Sequence, residues 1–263
     1  MALQIDFEGK VALVTGISKG VGAGIASVLL DAGCSISGCG LDVETPELIQ
    51  LQEKARLLDC SLLYMQADVT QLDELKDIVK RTIDEYGRVD ILISNAGGIV
   101  FEGVEGCSEE LWQKNLDLNL SSHWRLSKLC KPHLEKSDIG SIVIIGSNHA
   151  FSTIPGCSPY NLAKTALRGL VQSMAIEWGP SIRANCIAPG FIDTELNRKW
   201  FASFPDADEE RSRTENRHPV KKLGTPEEIG GFCAFLSSPY AGFITGATYL
   251  VDGGRSALMQ DDE

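Results

Sequence analysis

The stretch from Lys10 to Gly33 constrains the fold more than any other part of the chain. It opens with a short apolar run, continues through the glycine-rich segment 16–22, and ends in a helical pattern. This order predicts a strand and a helix joined by an anion-binding loop. Glycines let the backbone approach a pyrophosphate, which the helix dipole attracts. A plain tight turn is the alternative, because a glycine-rich loop alone is a weak signal.

The alternation of strand and helix continues along the chain. Further apolar runs typical of strands lie at 35–39, 62–66, 89–93, 142–145, 182–187 and 248–251. Such alternation predicts an α/β fold, a doubly wound parallel sheet of the Rossmann type with about seven strands and helices on both faces. No linker or composition break divides the sequence, so we predict one dinucleotide-binding and catalytic domain over 1–263.

Residues 191–223 interrupt this alternation. They hold Trp200, Phe201 and Phe204 beside a strongly charged stretch, and they follow the end of a predicted strand. A mixed aromatic and charged insertion at such a place predicts a mobile substrate lid, with a solvated excursion as the alternative. The tail at 257–263 is expected to be disordered.

Charge and composition argue against several classes of function. The net charge is −12, from 24 basic and 36 acidic residues, so nucleic-acid and membrane-surface partners are not expected. No apolar run is long enough for a membrane span, and Met1 to Lys10 lacks the apolar core of a signal peptide. The eight cysteines and four histidines are scattered, so no metal site is predicted. These features predict a reduced, cytoplasmic protein.

Tyr160 and Lys164 stand four residues apart in a predicted helix. Ser158 suits the N-cap and Pro159 the first helical position, so both side chains should share one face. A phenol with a pKa of about 10 exchanges protons poorly near neutrality, but a neighbouring ammonium favours the phenolate and lowers that pKa. Tyr160 is therefore a candidate general acid/base. The alternative, a surface Tyr packed on a Lys stem, is favoured by the spacing alone.

Polar residues follow several predicted strands at their carboxyl ends, where open parallel sheets bind ligands. Besides the glycine loop they are Asp68, Asn95, Ser147 and Pro189-Gly190. Asp68 could instead cap a helix, and Asn95 could bridge two strands. Their common place at one edge of the sheet makes the pair of Tyr160 and Lys164 a stronger catalytic candidate than its spacing does.

Five motifs in this order resemble the short-chain dehydrogenase/reductase family over about 10–255. They are Thr15-Gly-x-x-x-Gly20-x-Gly22, Asn95-Ala96-Gly97, Ser147 thirteen residues before Tyr160, Tyr160-x-x-x-Lys164 and Pro189-Gly190. Ser94 departs from the pattern, since many members carry a second Asn there. The resemblance implies an NAD(P)-dependent oxidoreductase that interconverts a secondary alcohol and a ketone by hydride transfer.

The resemblance also implies roles for individual residues. Tyr160 would exchange a proton with the substrate oxygen, Ser147 would hydrogen-bond that oxygen, and Lys164 would lower the Tyr160 pKa and bind the nicotinamide ribose. Asn119 would hold a water in a proton relay behind Lys164, with an amide that only tethers helix backbone as the alternative. The implied cofactor contacts are Gly16, Ser18, Lys19, Gly20, Val21, Gly22, Asp42, Asp68, Val69, Asn95, Ala96, Gly97, Tyr160, Lys164, Pro189, Gly190, Ile192 and Thr194. Among them Asp68 and Val69 would meet adenine, and Asn95 and Ala96 would line the ribose. Pro189, Gly190, Ile192 and Thr194 would lie along the nicotinamide. Thr194 could instead be only a helix N-cap.

The choice between NAD and NADP rests on few residues. Alignment on the glycine loop puts Gly40 where NAD-preferring members usually carry Asp, while Lys19 is a feature often seen in NADP-binding members. Asp42, Glu44 and Glu47 follow the second strand, and this local acidity leans the prediction slightly towards NAD. Asp42 lies further along the chain than the family's Asp, which leaves its reach to the ribose open.

Substrate and assembly are predicted more broadly. The candidate substrate contacts are Ser147, Asn148, His149, Tyr160, Phe191 and Trp200. Polar tips against an aromatic wall suit a small-molecule alcohol or ketone, with a polyol or sugar as the plausible class, although His149 could be structural. Helices at 109–135 and 159–178 join subunits in the family, which implies a homotetramer or homodimer. A non-catalytic dinucleotide-binding sensor or scaffold and an epimerase or dehydratase of the same family stay open as alternatives.

Overall fold

A parallel sheet with helices packed around it forms the centre of the structure. The computed structural model describes residues 4–258 of the 263-residue chain. The seven strands lie in the order β3-β2-β1-β4-β5-β6-β7. They are β1 (Val11–Thr15), β2 (Ser35–Gly40), β3 (Leu62–Gln66), β4 (Ile91–Ser94), β5 (Ser141–Ile145), β6 (Arg183–Pro189) and β7 (Thr248–Val251). This confirms the predicted doubly wound sheet, and its order reverses between β1 and β4, where such folds form a ligand crevice.

Helices cover both faces of the sheet. Within residues 4–258 they are α1 (Gly20–Asp31), α2 (Pro46–Leu57), α3 (Leu72–Tyr86), α4 (Glu109–Leu116), α5 (Ser122–Leu134), α6 (Tyr160–Trp178), α7 (Glu195–Phe201), α8 (Ala207–Asn216) and α9 (Pro226–Ser237). Ala12 and Val14 pack with α1, α2 and α9, whereas Leu13 packs with α3, α5 and α6. Successive residues of β1 therefore feed two cores, which explains why the strand is an unbroken apolar run.

The structure differs from the prediction in the course of one helix and in the start of another. The helix predicted over 109–135 is interrupted by a π turn, Asp117–Ser121, between α4 and α5. The catalytic-motif helix α6 has Pro159 at its N-cap, so the predicted capping role of Ser158 is wrong. The carbonyl of Ser158 instead accepts the backbone N–H groups of Glu102 and Gly103, both at 3.0 Å, which ties the start of α6 to the loop after β4.

The insertion at 191–223 is folded and contains α7 and α8. Asp193, just before α7, pairs with Arg198 of α7 at 2.7 Å and with Arg211 of α8 at 2.9 Å. The predicted lid motion stays a prediction. The predicted disordered tail, 257–263, falls largely on residues 259–263, which lie outside the described residues, while Ala257 ends a 3₁₀ turn. Between residues 4 and 258 no helix combines the length and apolarity that a membrane crossing requires.

Candidate active site

Glycines shape the loop between β1 and α1, where the sequence predicts an anion site. Gly16 and Gly20 have φ values of +73° and +59°, in the left-handed region that favours glycine. At Gly22 a Cβ atom would stand 2.0 Å from the carbonyl oxygen of Gly16, so any side chain there would displace the backbone. These three glycines therefore fix the path by which the loop reaches the start of α1.

The N-terminus of α1 is open to a ligand. Its N-cap residue, Lys19, makes no side-chain hydrogen bond to the helix, and the first turn contains no acidic residue. By contrast, a Ser, Thr or Asp side chain caps each of α2, α4, α7, α8 and α9. The N–H groups and dipole of α1 therefore fit the pyrophosphate of a dinucleotide, with the backbone of Val21 in the first turn.

Asp42 is tied back to the glycine loop from beyond the end of β2. Its carboxylate accepts hydrogen bonds from Ser18 Oγ at 2.8 Å and from Lys19 Nζ at 3.1 Å, and these two bonds lower the pKa of Asp42. At Gly40 a Cβ atom would stand 2.9 Å from both Ser18 Oγ and the Tyr64 hydroxyl. The structure thus leaves little room for an acidic side chain at Gly40, and Asp42 supplies a carboxylate at this end of the loop instead.

Two residues predicted to meet adenine lie just after β3. Asp68 accepts hydrogen bonds from the N–H and hydroxyl of Thr70, at 2.9 and 2.8 Å. It therefore stabilises a turn rather than capping α3, whose N-cap residue is Gln71. Val69 is buried in the core, so its backbone is the part that can face a ligand. The adenine contacts stay predictions.

Asn95 joins the end of β4 to the glycine loop. Its side-chain amide donates to the carbonyl oxygens of Thr15 at 2.9 Å and Gly16 at 3.4 Å. The Thr15 hydroxyl in turn accepts the backbone N–H groups of Asn95 and Ala96, both at 2.9 Å. The strand-bridging alternative is therefore present in the structure, and the ribose contacts of Asn95 and Ala96 stay predictions.

Ser147, Tyr160 and Lys164 converge at the carboxyl end of β5. Ser147 directly follows this strand region, and α6 begins at Tyr160, which places Lys164 one turn further along. Lys164 is only 3% exposed, and its Nζ donates to the carbonyl oxygen of Ile145 at 3.0 Å. The same Nζ atom lies 5.7 Å from the centre of the Tyr160 ring. A hydroxyl, a phenol and an amine thus share one partly buried site.

The expected lowering of the Tyr160 pKa is wrong for this structure. Burial raises the pKa of Tyr160 to about 12, and the hydrogen bond with Ser147 opposes this only in part. Burial also lowers the pKa of Lys164 to about 8, so the ammonium that would favour a phenolate is itself disfavoured. Desolvation therefore outweighs the attraction that the helical spacing predicts.

Asn119 lies in the π turn and holds the backbone of Gly98. Its side chain accepts the Gly98 N–H at 3.1 Å and donates to the Gly98 carbonyl at 2.8 Å and to Asn115 Oδ1 at 3.0 Å. A Cβ atom on Gly97 would stand 3.0 Å from Asn119 Oδ1 and 3.3 Å from Lys164 Nζ. The Asn119 amide therefore holds the loop at Gly98 rather than only the backbone of its own helix. Its role in a proton relay stays a prediction.

Aromatic rings surround the phenol of Tyr160. The ring of Phe101 lies 5.5 Å from that of Tyr160, and the ring of His149 lies 6.0 Å from it. His149 is partly buried, and its Nδ1 is 3.1 Å from the Thr153 hydroxyl. Asn148 is adjacent, with its Oδ1 at 3.5 Å from Ser147 Oγ. His149 thus lies beside Tyr160, and its contact with a substrate stays a prediction.

The insertion supplies a second aromatic group after β6. Phe191 lies 5.5 Å from Trp200, which in turn lies 4.8 Å from Phe204, measured between ring centres. Trp200 is 41% exposed, whereas Phe201 is buried beneath it. The predicted aromatic wall therefore exists, anchored by Phe201, although its contact with a substrate stays a prediction.

Residues predicted along the nicotinamide leave the end of β6, which Pro189 closes and Gly190 follows. Ile192 is buried in the core, so its side chain is not available to a ligand. The Thr194 hydroxyl accepts the N–H of Asn197 at 3.4 Å and caps α7, so the N-cap role offered as the alternative for Thr194 is present in the structure. Its methyl group would lie 3.5 Å from a Cβ atom on Gly20, which places the start of the insertion against the glycine loop.

Three site residues carry no signal in the sequence. Phe101 belongs to an irregular loop, and its backbone bridge to Pro159 brings it to Tyr160. Asn115 is fully buried and donates to the Pro159 carbonyl at 3.0 Å. Tyr64 donates to the backbone carbonyl of Asp42 from a neighbouring strand. Periodicity places such residues on a strand or helix face, but these contacts join segments far apart in the chain.

Comparison with known proteins gives one consistent result. A family model described as Enoyl-(Acyl carrier protein) reductase matches residues 16–256. Dehydrogenase/reductase SDR family member 4 of Homo sapiens is 37% identical over 264 residues, which cover 98% of this chain and 92% of that protein. The protein of the same name from Caenorhabditis elegans is 31% identical, with 96% and 97% covered.

Solved structures with similar folds come from archaea and bacteria. Ligand-free aldohexose dehydrogenase of Thermoplasma acidophilum superimposes with a TM-score of 0.88 at 30% identity, and 99% of each chain is covered. A short-chain dehydrogenase/reductase of Serratia marcescens superimposes with a TM-score of 0.86 at 32% identity, with 95% of this chain and 99% of that chain covered.

Proposed function

This chain belongs to the short-chain dehydrogenase/reductase family of oxidoreductases, and we propose that it interconverts a secondary alcohol and a ketone with Tyr160 as the general acid/base. The observation that carries the proposal is the meeting of Ser147, Tyr160 and Lys164 at the same carboxyl edge of the sheet as the open N-terminus of α1. The glycine loop accounts for dinucleotide binding, and the partly buried phenol accounts for proton transfer.

In the proposed oxidation, the substrate hydroxyl gives its proton to the Tyr160 oxygen. The carbon atom that bears this hydroxyl loses a hydride. The bound dinucleotide supplies the hydride acceptor or, in the reverse direction, the donor. Ser147 would hold the substrate oxygen by a hydrogen bond, because its hydroxyl already hydrogen-bonds the phenol of Tyr160. Lys164 would favour the ionised phenol once its ammonium is stabilised, since burial alone works against both charges.

We further propose that NAD is the preferred cofactor. Lys19 is the cation available to a 2′-phosphate at this end of the loop, and it is already paired with Asp42 at 3.1 Å. The Asp42 carboxylate would accept a ribose 2′-hydroxyl and repel a 2′-phosphate. The pairing of Lys19 with Asp42 thus supports NAD although Gly40 lacks the family's acidic side chain.

Replacing Asp42 with Asn is expected to raise the affinity for NADP relative to NAD about tenfold, because it frees Lys19 and removes one negative charge. Dissociation constants for both cofactors, measured by fluorescence titration, check this. The matched control is Glu53→Gln on α2, which removes an equal charge from an exposed side chain outside the hydrogen-bonded group and should leave the ratio unchanged. A wild-type preference for NADP would contradict the cofactor proposal outright.

The similarity to an aldohexose dehydrogenase supports sugars and polyols as the first compounds to assay. Such substrates suit the polar side chains of Asn148 and His149 beside Tyr160. The test is a set of alcohols, polyols, sugars and ketones with each cofactor, followed at the absorbance of the reduced nicotinamide. Turnover with none of them, together with normal cofactor binding, would favour the sensor or scaffold alternative.

An epimerase or dehydratase would use the same residues and is distinguished by its products. Net formation of reduced cofactor in proportion to ketone supports simple oxidation, whereas isomerised or dehydrated product without net cofactor reduction supports the alternative.

Subunit association is also a proposal. Exposed apolar side chains on α5 and α6, namely Trp124, Leu162 and Ile176, support the homotetramer or homodimer, which light scattering tests against the 28.5 kDa chain mass.

A further inference from the structure

Arg255 lies at the carboxyl edge of the sheet, in a 3₁₀ turn that directly follows β7. The neighbouring acidic residue, Asp252, is 8% exposed and accepts the backbone N–H groups of Gly254 at 3.0 Å and Ser256 at 2.8 Å. Its carboxylate is therefore used to hold the turn in shape. The charge of Asp252 acts favourably on the guanidinium of Arg255, but no hydrogen bond or ion pair joins the two side chains.

Within residues 4–258, the side chain of Arg255 makes no hydrogen bond or ion pair, although it is partly buried. Arg183 shows what a structural arginine does in this fold, because it donates to the backbone carbonyls of Leu236 at 2.6 Å and Ser238 at 3.3 Å. Burying a guanidinium without such acceptors is unfavourable. A ligand that brings its own acceptor would remove that penalty.

A second arginine approaches the first from the insertion. Arg217 is the C-cap residue of α8, and its side chain also has no acceptor within the described part of the chain. Burial and the charge of Arg217 together lower the pKa of Arg255. Two guanidinium groups that repel each other, in a protein with a net charge of −12, are stabilised when an anion lies between them.

This arginine pair adjoins the candidate active site. The turn reaches it at Gly190, where a Cβ atom would stand 2.7 Å from that of Asp252. The charge of Arg255 also acts on His149, whose pKa burial and this neighbour lower. His149 in turn lies 6.0 Å from Tyr160 between ring centres. The turn that carries Arg255 and the rings of His149 and Tyr160 therefore border the same carboxyl edge of the sheet.

The position of the turn after β7 excludes the 2′-phosphate of NADP as the anion that Arg255 would bind. Asp42 and Lys19 mark the adenosine end near β2, whereas Arg255 follows β7. These strands are five places apart in the sheet order, or about 24 Å at the usual strand spacing. The glycine loop that would face the pyrophosphate follows β1, four places from β7, so an acidic group of the substrate is the anion that fits Arg255 best.

We propose that Arg255, assisted by Arg217, binds an acidic group of the substrate, so that the enzyme acts on hydroxy or keto compounds carrying a carboxylate or a phosphate monoester. This inference rests on the proposed function, because it assumes that the substrate's reacting carbon lies at Tyr160. It narrows the substrate class from alcohols in general to anionic ones and assigns their orientation, with the acidic group pointing towards the turn after β7.

The test compares three compounds with one carbon skeleton: sorbitol, gluconate and sorbitol 6-phosphate. We expect the wild-type enzyme to show a kcat/KM for one of the two anions at least about tenfold above that for sorbitol. Arg255→Gln should lower kcat/KM for that anion about 10- to 100-fold more than for sorbitol, since it removes a hydrogen bond to a charged group. The carboxylate and phosphate compounds show which acidic group is recognised.

Arg56→Gln on α2 is the matched control, because it removes the same charge from an exposed arginine and should change no ratio. Arg255→Lys should restore part of the preference. Equal loss for all three compounds in Arg255→Gln, or a wild-type preference for sorbitol, overturns the proposal while leaving hydride transfer intact.

Turnover of none of the three compounds still leaves a decisive measurement. Gluconate and sorbitol 6-phosphate are then titrated calorimetrically into the enzyme saturated with its cofactor. Binding that weakens in Arg255→Gln but not in Arg56→Gln supports the anion site, and binding of neither anion overturns it. Failure of the protein to bind either dinucleotide would instead contradict the proposed function itself.

Discussion

Replacing Tyr160 with Phe is expected to lower kcat about 1000-fold while leaving the dissociation constant of the cofactor within about twofold. The substitution removes one oxygen atom, and the ring keeps its packing against Phe101 and His149. What is lost is the group that exchanges a proton with the substrate oxygen. Because the phenol is partly buried, with its pKa raised to about 12, solvent is poorly placed to replace it.

Steady-state rates and a fluorescence titration of the cofactor measure the two expectations separately. The matched control is Tyr86→Phe at the end of α3, whose hydroxyl bonds to Ser61 and to the Ile36 carbonyl away from the site. This control should keep its full rate. If Tyr160→Phe turned over within tenfold of the wild type, Tyr160 would not be the general acid/base.

Replacing Lys164 with Met is expected to lower kcat/KM about 100-fold or more and, at pH 7, to raise the free energy of unfolding by about 1–2 kcal/mol. Burial lowers the pKa of Lys164 from 10.5 to about 8. Below pH 8 both folded and unfolded states bind the proton, and the folded state bears the full penalty, about 3 kcal/mol. Met removes this penalty, but the Ile145 carbonyl loses its donor, which reduces the gain.

The stability gain should depend on pH in a defined direction. Between about pH 8 and 10.5 the unfolded wild type holds a proton that the folded state has released, so wild-type stability rises relative to Lys164→Met. Urea unfolding at pH 7 and pH 9.5 measures the shrinking difference. Lys136→Met, at an exposed lysine, should show neither effect. A Lys164→Met protein that is less stable at pH 7 would show that the ammonium contributes to folding.

The parts of the site that the sequence predicts are those encoded by local backbone geometry. Gly16, Gly20 and Gly22 are informative because a side chain at those places would need a left-handed conformation or would strike the backbone. Buried parallel strands are informative because both of their faces are apolar. The helical spacing of Tyr160 and Lys164 likewise places them together without any knowledge of the tertiary structure.

The parts that the sequence does not predict depend on burial and on contacts between distant segments. The shift in the Tyr160 pKa has the opposite sign to the expectation because desolvation is a property of the whole fold. Asp42 reaches the glycine loop only through Ser18 and Lys19, which pattern reading does not pair with it. Arg255 belongs to no sequence motif. Its proposed role follows from its neighbours in the fold and from the absence of a side-chain partner within residues 4–258.

The π turn at Asp117–Ser121 counts as one surplus residue in an otherwise continuous helix. Deleting one residue there would let α4 and α5 join as one regular helix, and it would move the residues of the turn by about 1.5 Å along the helix axis. The amide ladder from the Pro159 carbonyl through Asn115 and Asn119 to Gly98 would then lose its alignment. Evolution can therefore exchange side chains in this segment more freely than it can change its length, and insertions or deletions between relatives should avoid it.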